Sequence, residues 1–282
     1  MKEDRLPERG LDFVLLPDAA RNGQADVLRY LFDTLPDCQR PFPWTPWTGY
    51  RSYEQFCLPF NYQKDKLHRD RHLINAQYNL PMHALEASDA PAIIKVLLDY
   101  GMSVNQYINS TTSLLWKAVE MKKCDVVELL LDHGADTDSK RRRHILIEAI
   151  KNDDPDTVAS LIKHGASAEE TNAFGYALTN RRIASVRKLL ELGADINGMS
   201  AMRHSRKGLV FKVRAPTPLH RVIGAHWEKP GATCSREEMV RFLLINGAKT
   251  DIVYARCTPF VLARYKRRRG IVEVFREFGI EE

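Results

Sequence analysis

Apolar residues fall in short stripes at helical spacing along most of this 282-residue chain. Val126, Val127, Leu130 and Leu131, for example, occupy positions i, i+1, i+4 and i+5, which lie on one face of a helix. Such stripes predict helices of about eight to ten residues, which are too short to be stable alone in water. Each helix must therefore bury its apolar face against a neighbour, and the pattern predicts a stack of helices.

The positions that follow these stripes also repeat. The string LLDYGMSVN at 97–105 recurs with variation as LLDHGADTD, LIKHGASAE, LLELGADIN and LLINGAKTD, and a degenerate copy, FREFGIEE, occupies 275–282. The glycines of the six copies are 33, 31, 28, 54 and 32 residues apart. Each glycine is predicted to end a helix in the left-handed conformation. The first five are Gly101, Gly134, Gly165, Gly193 and Gly247.

A second pattern precedes most of these glycines. Residues 80–85 read LPMHAL and 217–222 read TPLHRV, while 113–118 (SLLWKA) and 258–263 (TPFVLA) keep the pattern more loosely. Proline in the second position suits the first turn of a helix, where its missing N–H costs nothing. The combination resembles the ankyrin repeat, whose signature TPLHxA is followed by a turn, a second helix ending in LL, and GAD. The resemblance extends to AARNG at 19–23, and the chain is similar in style to fungal ankyrin repeat proteins.

This resemblance implies an all-α fold, an ankyrin-repeat solenoid of stacked helix-turn-helix units with hairpin fingers. A degenerate N-terminal ankyrin-like unit is expected at 1–35 and a repeat array at 80–282. Between them, 36–79 is an insertion rich in aromatic residues and proline that either hides a degenerate repeat or contains none. The repeats of the array are expected at about 80–112, 113–143, 144–171, 172–216, 217–257 and 258–282, the last as a C-terminal cap.

Two repeats are longer than the others. The repeat at 172–216 has a long basic finger, in which the apolar–polar alternation at 209–214 predicts an extended hairpin. The repeat at 217–257 has about nine extra residues between its helices, near 225–233.

The resemblance also implies roles for single residues. His83 and His220 occupy the histidine slot, which usually hydrogen-bonds backbone and ties one repeat to the next, so both are expected to be structural, like the five glycines. Partners of ankyrin-like proteins bind the fingers and the exposed side of each first helix. Trp116, Met121 and Tyr265 are the apolar candidates for anchoring a partner there. Packing between repeats is the alternative for Trp116.

Charge is uneven along the chain. Residues 199–282 contain 17 Lys and Arg against 8 Asp and Glu, whereas the whole chain has a net charge of +6. The candidate basic contacts lie in three clusters: Lys140, Arg141 and Arg143; Arg203, Arg206, Lys207 and Lys212; and Lys266. They indicate an acidic partner protein. The alternatives are solvated faces, a nuclear import signal at 140–143, and a nucleic-acid-associated regulator that uses the basic third.

The aromatic residues favour the protein partner. They are concentrated in 36–79 and are not interleaved with the basic clusters, as single-strand stacking would require.

Enzyme motifs are absent from the sequence. There is no GxxxxGK[ST] phosphate loop, no GxGxxG and no GxSxG. His68 and His72 have the i, i+4 spacing of helical metal ligands but no third ligand in view. Helix capping explains at least one of the adjacent Asp153 and Asp154 better than acid–base chemistry does. We therefore expect a non-enzymatic adaptor or scaffold that needs no cofactor, metal or small-molecule substrate.

The remaining composition bears on location. The five cysteines are scattered without a CxxC pair, the first ten residues are charged, and no apolar run reaches about 18 residues. These features predict a soluble protein of the cytoplasm, the nucleus or both, with no membrane partner.

Overall fold

The structure, a computed structural model, describes most of the repeat array and a short N-terminal segment. The described residues are 12–34, 80–108, 112–137, 144–169, 172–198, 202–206, 209–213, 216–225 and 231–281. The predicted insertion at 36–79, which contains His68 and His72, lies outside them. The chain divides into two compact units, residues 1–136 and 137–282.

The first compact unit contains six described helices in three pairs. The first helices of these pairs stack on one another, α1 on α3 and α3 on α5, and the second helices stack likewise, α2 on α4 and α4 on α6. Their bounds are α1 Asp12–Arg21, α2 Ala25–Thr34, α3 Leu80–Glu86, α4 Ala90–Asp99, α5 Leu114–Glu120 and α6 Cys124–Asp132.

The second compact unit contains four pairs of described helices with the same arrangement. Its first helices stack in the order α7, α9, α11, α13; among its second helices, α8 packs on α10 and α12 packs on α14. The bounds are α7 Ile145–Asn152, α8 Pro155–Lys163, α9 Ala173–Thr179, α10 Ile183–Glu191, α11 Pro218–Gly224, α12 Arg236–Ile245, α13 Pro259–Tyr265 and α14 Arg269–Glu277.

Local sequence explains where the helices begin and end. The predicted N-cap of α8 is confirmed, because an Asp154 carboxylate oxygen accepts a hydrogen bond from the backbone N–H of Thr157 at 3.2 Å and Pro155 is the first helical residue. Ser113 and Thr258 cap α5 and α13 in the same way. Gly134 follows α6 with φ +81° and has open space around its Cα, so the left-handed backbone alone favours glycine there. The glycines at the other four slots also have positive φ.

The two long repeats depart from the others where the sequence predicts. Strands β1 (Met202–Arg206) and β2 (Leu209–Val213) pair antiparallel, with Met202 opposite Val213, so the predicted extended hairpin is confirmed. Helix α11 ends at Gly224 and α12 begins only at Arg236, which places the extra residues between these helices. None of the described helices has the length and apolar run needed to cross a membrane.

Candidate partner-binding groove

Three consecutive first helices of the second compact unit border an open groove. Helices α9, α11 and α13 contribute Thr179, Arg221 and Leu262, and the loop before α13 contributes Tyr254. Tyr265 and Lys266, at the end of α13, also line it. We call this the Tyr265 groove; its volume is about 650 Å³.

The predicted anchor Tyr265 is the exposed aromatic residue of this groove. Tyr265 is 77% exposed, although a large aromatic ring normally contributes most to stability when it is buried. The ammonium group of Lys266 lies 6.0 Å from the centre of the Tyr265 ring. Two residues that the sequence selected as candidates therefore lie side by side on one surface. An aromatic ring beside a cation suits contact with an amphipathic partner.

His220 forms part of the groove wall but has no free ring nitrogen. Its Nε2 donates to the Cys257 carbonyl at 3.0 Å, so Nδ1 accepts from the Thr217 hydroxyl at 2.6 Å. The residue is 2% exposed, and burial lowers its pKa against the opposing effect of the Cys257 carbonyl. The neutral imidazole therefore fastens α11 to the loop that leads into α13, and the Tyr254 ring packs edge-on against it at 5.6 Å.

Arg221 is a groove residue that the sequence analysis did not select. Burial lowers the pKa of its guanidinium, and the interaction with Tyr254 partly offsets this effect. An arginine side chain nevertheless stays charged at neutral pH. Its Nη2 atom is shielded from solvent and has no hydrogen-bond partner. Among the described residues that line the groove, none is Asp or Glu. The described lining of the groove therefore carries positive charge and no acidic residue.

Gly175 makes room for this guanidinium. A Cβ atom built on Gly175 would lie 2.9 Å from both Cζ and Nη1 of Arg221, and 2.5 Å from Oδ1 of Asn172. Gly175 occupies the histidine slot of its repeat, inside α9, where glycine is less favourable than alanine by about 1 kcal/mol. An interior helical glycine was the sequence signal that could have indicated this close approach.

The other apolar candidates belong to the first compact unit. Trp116 is half-buried in α5, and its backbone N–H donates to the Ser113 hydroxyl at 3.2 Å. Met121 is the half-buried residue that ends the same helix. Their role in binding stays a prediction.

Half of the eight basic candidates fall in the part of the chain that the structure does not describe. Lys140, Arg141, Arg143 and Lys207 lie outside the described residues. Arg203, Arg206 and Lys212 lie on β1 and β2, where Arg203 is in register with Lys212. Of the predicted basic contacts, Lys266 alone has a side chain in the part of the chain that the structure describes.

The second signature histidine, His83, has a different neighbour. Arg21 of α1 donates from Nη2 to His83 Nδ1 at 2.9 Å, and Glu86 lies 3.7 Å from the same nitrogen. The contact is with a side chain, whereas the resemblance implied a backbone partner. His83 nevertheless connects its helix to the preceding pair.

The adjacent carboxylates Asp153 and Asp154 serve different neighbours. Asp154 caps α8, while Asp153 has φ +52° and accepts from both the backbone N–H and the hydroxyl of Ser185 at 2.9 Å. The hydroxyl of Thr233 donates to the other Asp153 oxygen at 2.7 Å. Asp153 thus joins α10 and the segment before α12, and these contacts assign it a structural position.

Within the described residues, no group of three His, Cys, Asp or Glu side chains is arranged to hold a metal ion. Burial raises the pKa of the Cys234 thiol to about 11, which keeps this thiol protonated near neutral pH.

Stacked pairs of short helices, joined by glycine-ended turns and carrying fingers between pairs, define the ankyrin-repeat fold. Solved structures agree with this assignment. The ankyrin repeat domain of human ASB11 is 20% identical over 92% of this chain and 96% of that domain, with a TM-score of 0.54. An ankyrin repeat domain from Acinetobacter baumannii is 21% identical over 73% of this chain and all of that domain, with a TM-score of 0.52.

Sequence comparison gives weaker, consistent results. No family model matches the chain. An ankyrin repeat protein of fowlpox virus is 28% identical over 46% of this chain, and one of Acanthamoeba polyphaga mimivirus is 24% identical over 71%. The chain covers 32% and 57% of these two proteins. Both are viral, so the expected similarity to fungal proteins is not shown.

Proposed function

We propose that this protein is a non-enzymatic interaction module, an adaptor or scaffold, that binds a segment of another protein in the Tyr265 groove. Ankyrin-repeat folds generally mediate protein–protein interaction. The observation that carries the proposal is the 77% exposure of Tyr265 at the edge of a groove of about 650 Å³. An exposed aromatic side chain beside a cleft is the type of residue that contributes most to binding energy when a partner covers it.

The wall of the groove supports the same proposal because it is fixed before a partner arrives. His220 uses both ring nitrogens, and Tyr254 and Cys257 exchange backbone hydrogen bonds at 2.9 and 3.0 Å. A wall that is already ordered lowers the conformational entropy cost of binding.

The test compares capture by variants that differ only in the groove. Wild-type protein, Tyr265→Ala and Arg276→Gln are used as bait in native lysate of the source organism, with and without nuclease. Arg276 is an exposed residue of the second helix α14 and does not line the groove, so Arg276→Gln controls for the change of an exposed side chain outside the groove. We expect one protein to be captured by wild type and Arg276→Gln, independently of nuclease, and to be lost with Tyr265→Ala.

Two results would contradict the proposal. Capture that survives Tyr265→Ala unchanged would show that the groove is not the binding surface. Capture that disappears with nuclease would indicate nucleic acid as the partner, through binding that should also weaken steeply with salt.

A further inference from the structure

We propose that Arg221 is a carboxylate-binding residue, and that the groove takes an acidic peptide segment whose Asp or Glu side chain pairs with its guanidinium. The inference rests on the proposed function and specifies its partner. It concerns a residue in the middle of the groove, not the basic fingers that the sequence suggests.

The first argument is the placement of the guanidinium. Arg221 belongs to α11, the central one of the three first helices that border the groove, and its guanidinium lies against Gly175 of α9. A Cβ at position 175 would lie 2.5 Å from Oδ1 of Asn172 and 2.9 Å from Nη1 of Arg221, so both of these side chains would have to shift. The glycine therefore creates the space in which this cation sits, at the cost of a less favourable helical residue.

The second argument is the lack of an internal partner. The Nη2 atom of Arg221 is shielded from solvent and has no hydrogen-bond partner, although buried polar groups are almost always paired. The residue as a whole is half-buried, so a small turn of the guanidinium toward the groove would let a ligand supply the missing partner. No Asp or Glu occurs among the described residues of the lining, and Tyr254 offsets only part of the effect of burial on the Arg221 pKa. A carboxylate supplied by a partner would form a charge-assisted and geometrically matched pair with a planar guanidinium.

The third argument is charge complementarity across the whole groove. Lys266 adds a second cation, and no acidic residue occurs among the described residues of the lining. Tyr265 and Leu262 provide apolar surface beside these charges. The matching ligand is thus a segment that combines at least one carboxylate with apolar side chains.

The test is a double-mutant cycle with selected peptides as the probe. A display library of randomised, unphosphorylated short peptides is selected against the full wild-type chain, and binders that require Tyr265 are retained. Each retained peptide is then resynthesised with its acidic residue changed to the amide, Glu→Gln or Asp→Asn. Both forms are titrated against wild type, Arg221→Gln and the control Arg276→Gln.

We expect the amide substitution to weaken binding to wild type and to Arg276→Gln by about tenfold or more, because a shielded charge pair is lost. Against Arg221→Gln the same substitution should change affinity by less than about twofold, since the partner charge is already gone. Gly175→Ala is a second variant that crowds the guanidinium and Asn172 without removing the charge, and the amide substitution should weaken binding to it less than to wild type. It keeps the test valid if Arg221→Gln does not fold.

The outcomes separate the two proposals. Tyr265-dependent peptides that tolerate the amide substitution, or that lose equal affinity in wild type and Arg221→Gln, would overturn the role of Arg221 and leave the binding groove intact. Failure to recover any Tyr265-dependent peptide would overturn both.

Discussion

His220 and His83 occupy the same slot of the repeat but stand in different surroundings. His220 is 2% exposed and uses both ring nitrogens, one with the Thr217 hydroxyl and one with the Cys257 carbonyl. The His83 side chain is 15% exposed and receives its hydrogen bond from Arg21, a side chain that is itself about half exposed. The same residue in the same slot thus belongs to a buried network in one repeat and to a surface contact in the other.

The difference shows that the signature slot determines where the histidine lies in the repeat but not how much it contributes to stability. A hydrogen bond to a buried backbone carbonyl is costly to lose, because the carbonyl is left without a partner and without water. A contact with an exposed arginine is replaced by water at little cost. The contribution of each histidine to the free energy of unfolding therefore depends on its neighbours, which the repeat pattern does not specify.

The largest expected effect is on stability when each histidine is replaced by alanine. His220→Ala leaves the Cys257 carbonyl unpaired and a cavity behind, and should lower the free energy of unfolding by about 3 kcal/mol. His83→Ala should lower it by about 1 kcal/mol or less, because water reaches Arg21. Urea unfolding followed by far-UV circular dichroism measures both values.

The two variants control for each other because they remove the same atoms from the same slot. Equal losses would contradict the distinction, and a larger loss for His83→Ala would reverse it. Wild-type secondary structure in both variants at zero urea is the condition for comparing them.

The next effect is a pH dependence that His220 should impose. Burial lowers the pKa of folded His220 below its ordinary value, so the unfolded chain binds a proton at a higher pH than the folded chain does. The contribution of neutral His220 to the free energy of unfolding is therefore fully present above the unfolded pKa of about 6.5. It decreases as pH falls from there toward the folded pKa, by at most about 1.4 kcal/mol per pH unit for one proton.

This dependence is measured as the difference between wild type and His220→Gln in urea titrations from about pH 8 to pH 5. Glutamine does not titrate, and the carboxylates common to both proteins cancel in the difference. The gap between the two curves should narrow as pH falls. Parallel curves over the whole range would show that His220 does not couple protonation to folding.

The fold could be predicted from the sequence because its determinants are local and repeated. Helix stripes, the glycine at Gly134 and the cap at Asp154 lie within a few residues of the structure they specify. The alternating pattern at 209–214 also predicted an extended hairpin, in which 202–206 pairs with 209–213. Two groove residues, Tyr265 and Lys266, could also be predicted, because the position in the repeat determines which side chains of the first helix face outward.

The rest of the site depends on contacts between distant parts of the chain. Arg221 lies against Gly175, which is 46 positions earlier, and Asp153 binds Thr233, which is 80 positions later. The repeat pattern aligns such residues but does not say which side chains meet or whether a partner atom remains. In the sequence, Arg221 cannot be distinguished from an ordinary surface arginine, because its contact with Gly175 appears only in the structure.

The smallest expected effect is the difference in stability lost when the N-cap threonines of α11 and α13 are replaced. Thr217 and Thr258 both cap a helix, but only the Thr217 hydroxyl also donates to a histidine, at 2.6 Å from Nδ1. Thr258→Ala should cost about 1 kcal/mol, the usual value of an N-cap, and Thr217→Ala about 1 kcal/mol more, because His220 also loses a partner. Thermal and urea unfolding of both variants, with Thr217→Ser as the control that keeps the hydroxyl, measure this difference. Equal losses would mean that the Thr217–His220 bond contributes nothing beyond the cap, and that the buried position of His220 rests on the Cys257 carbonyl alone.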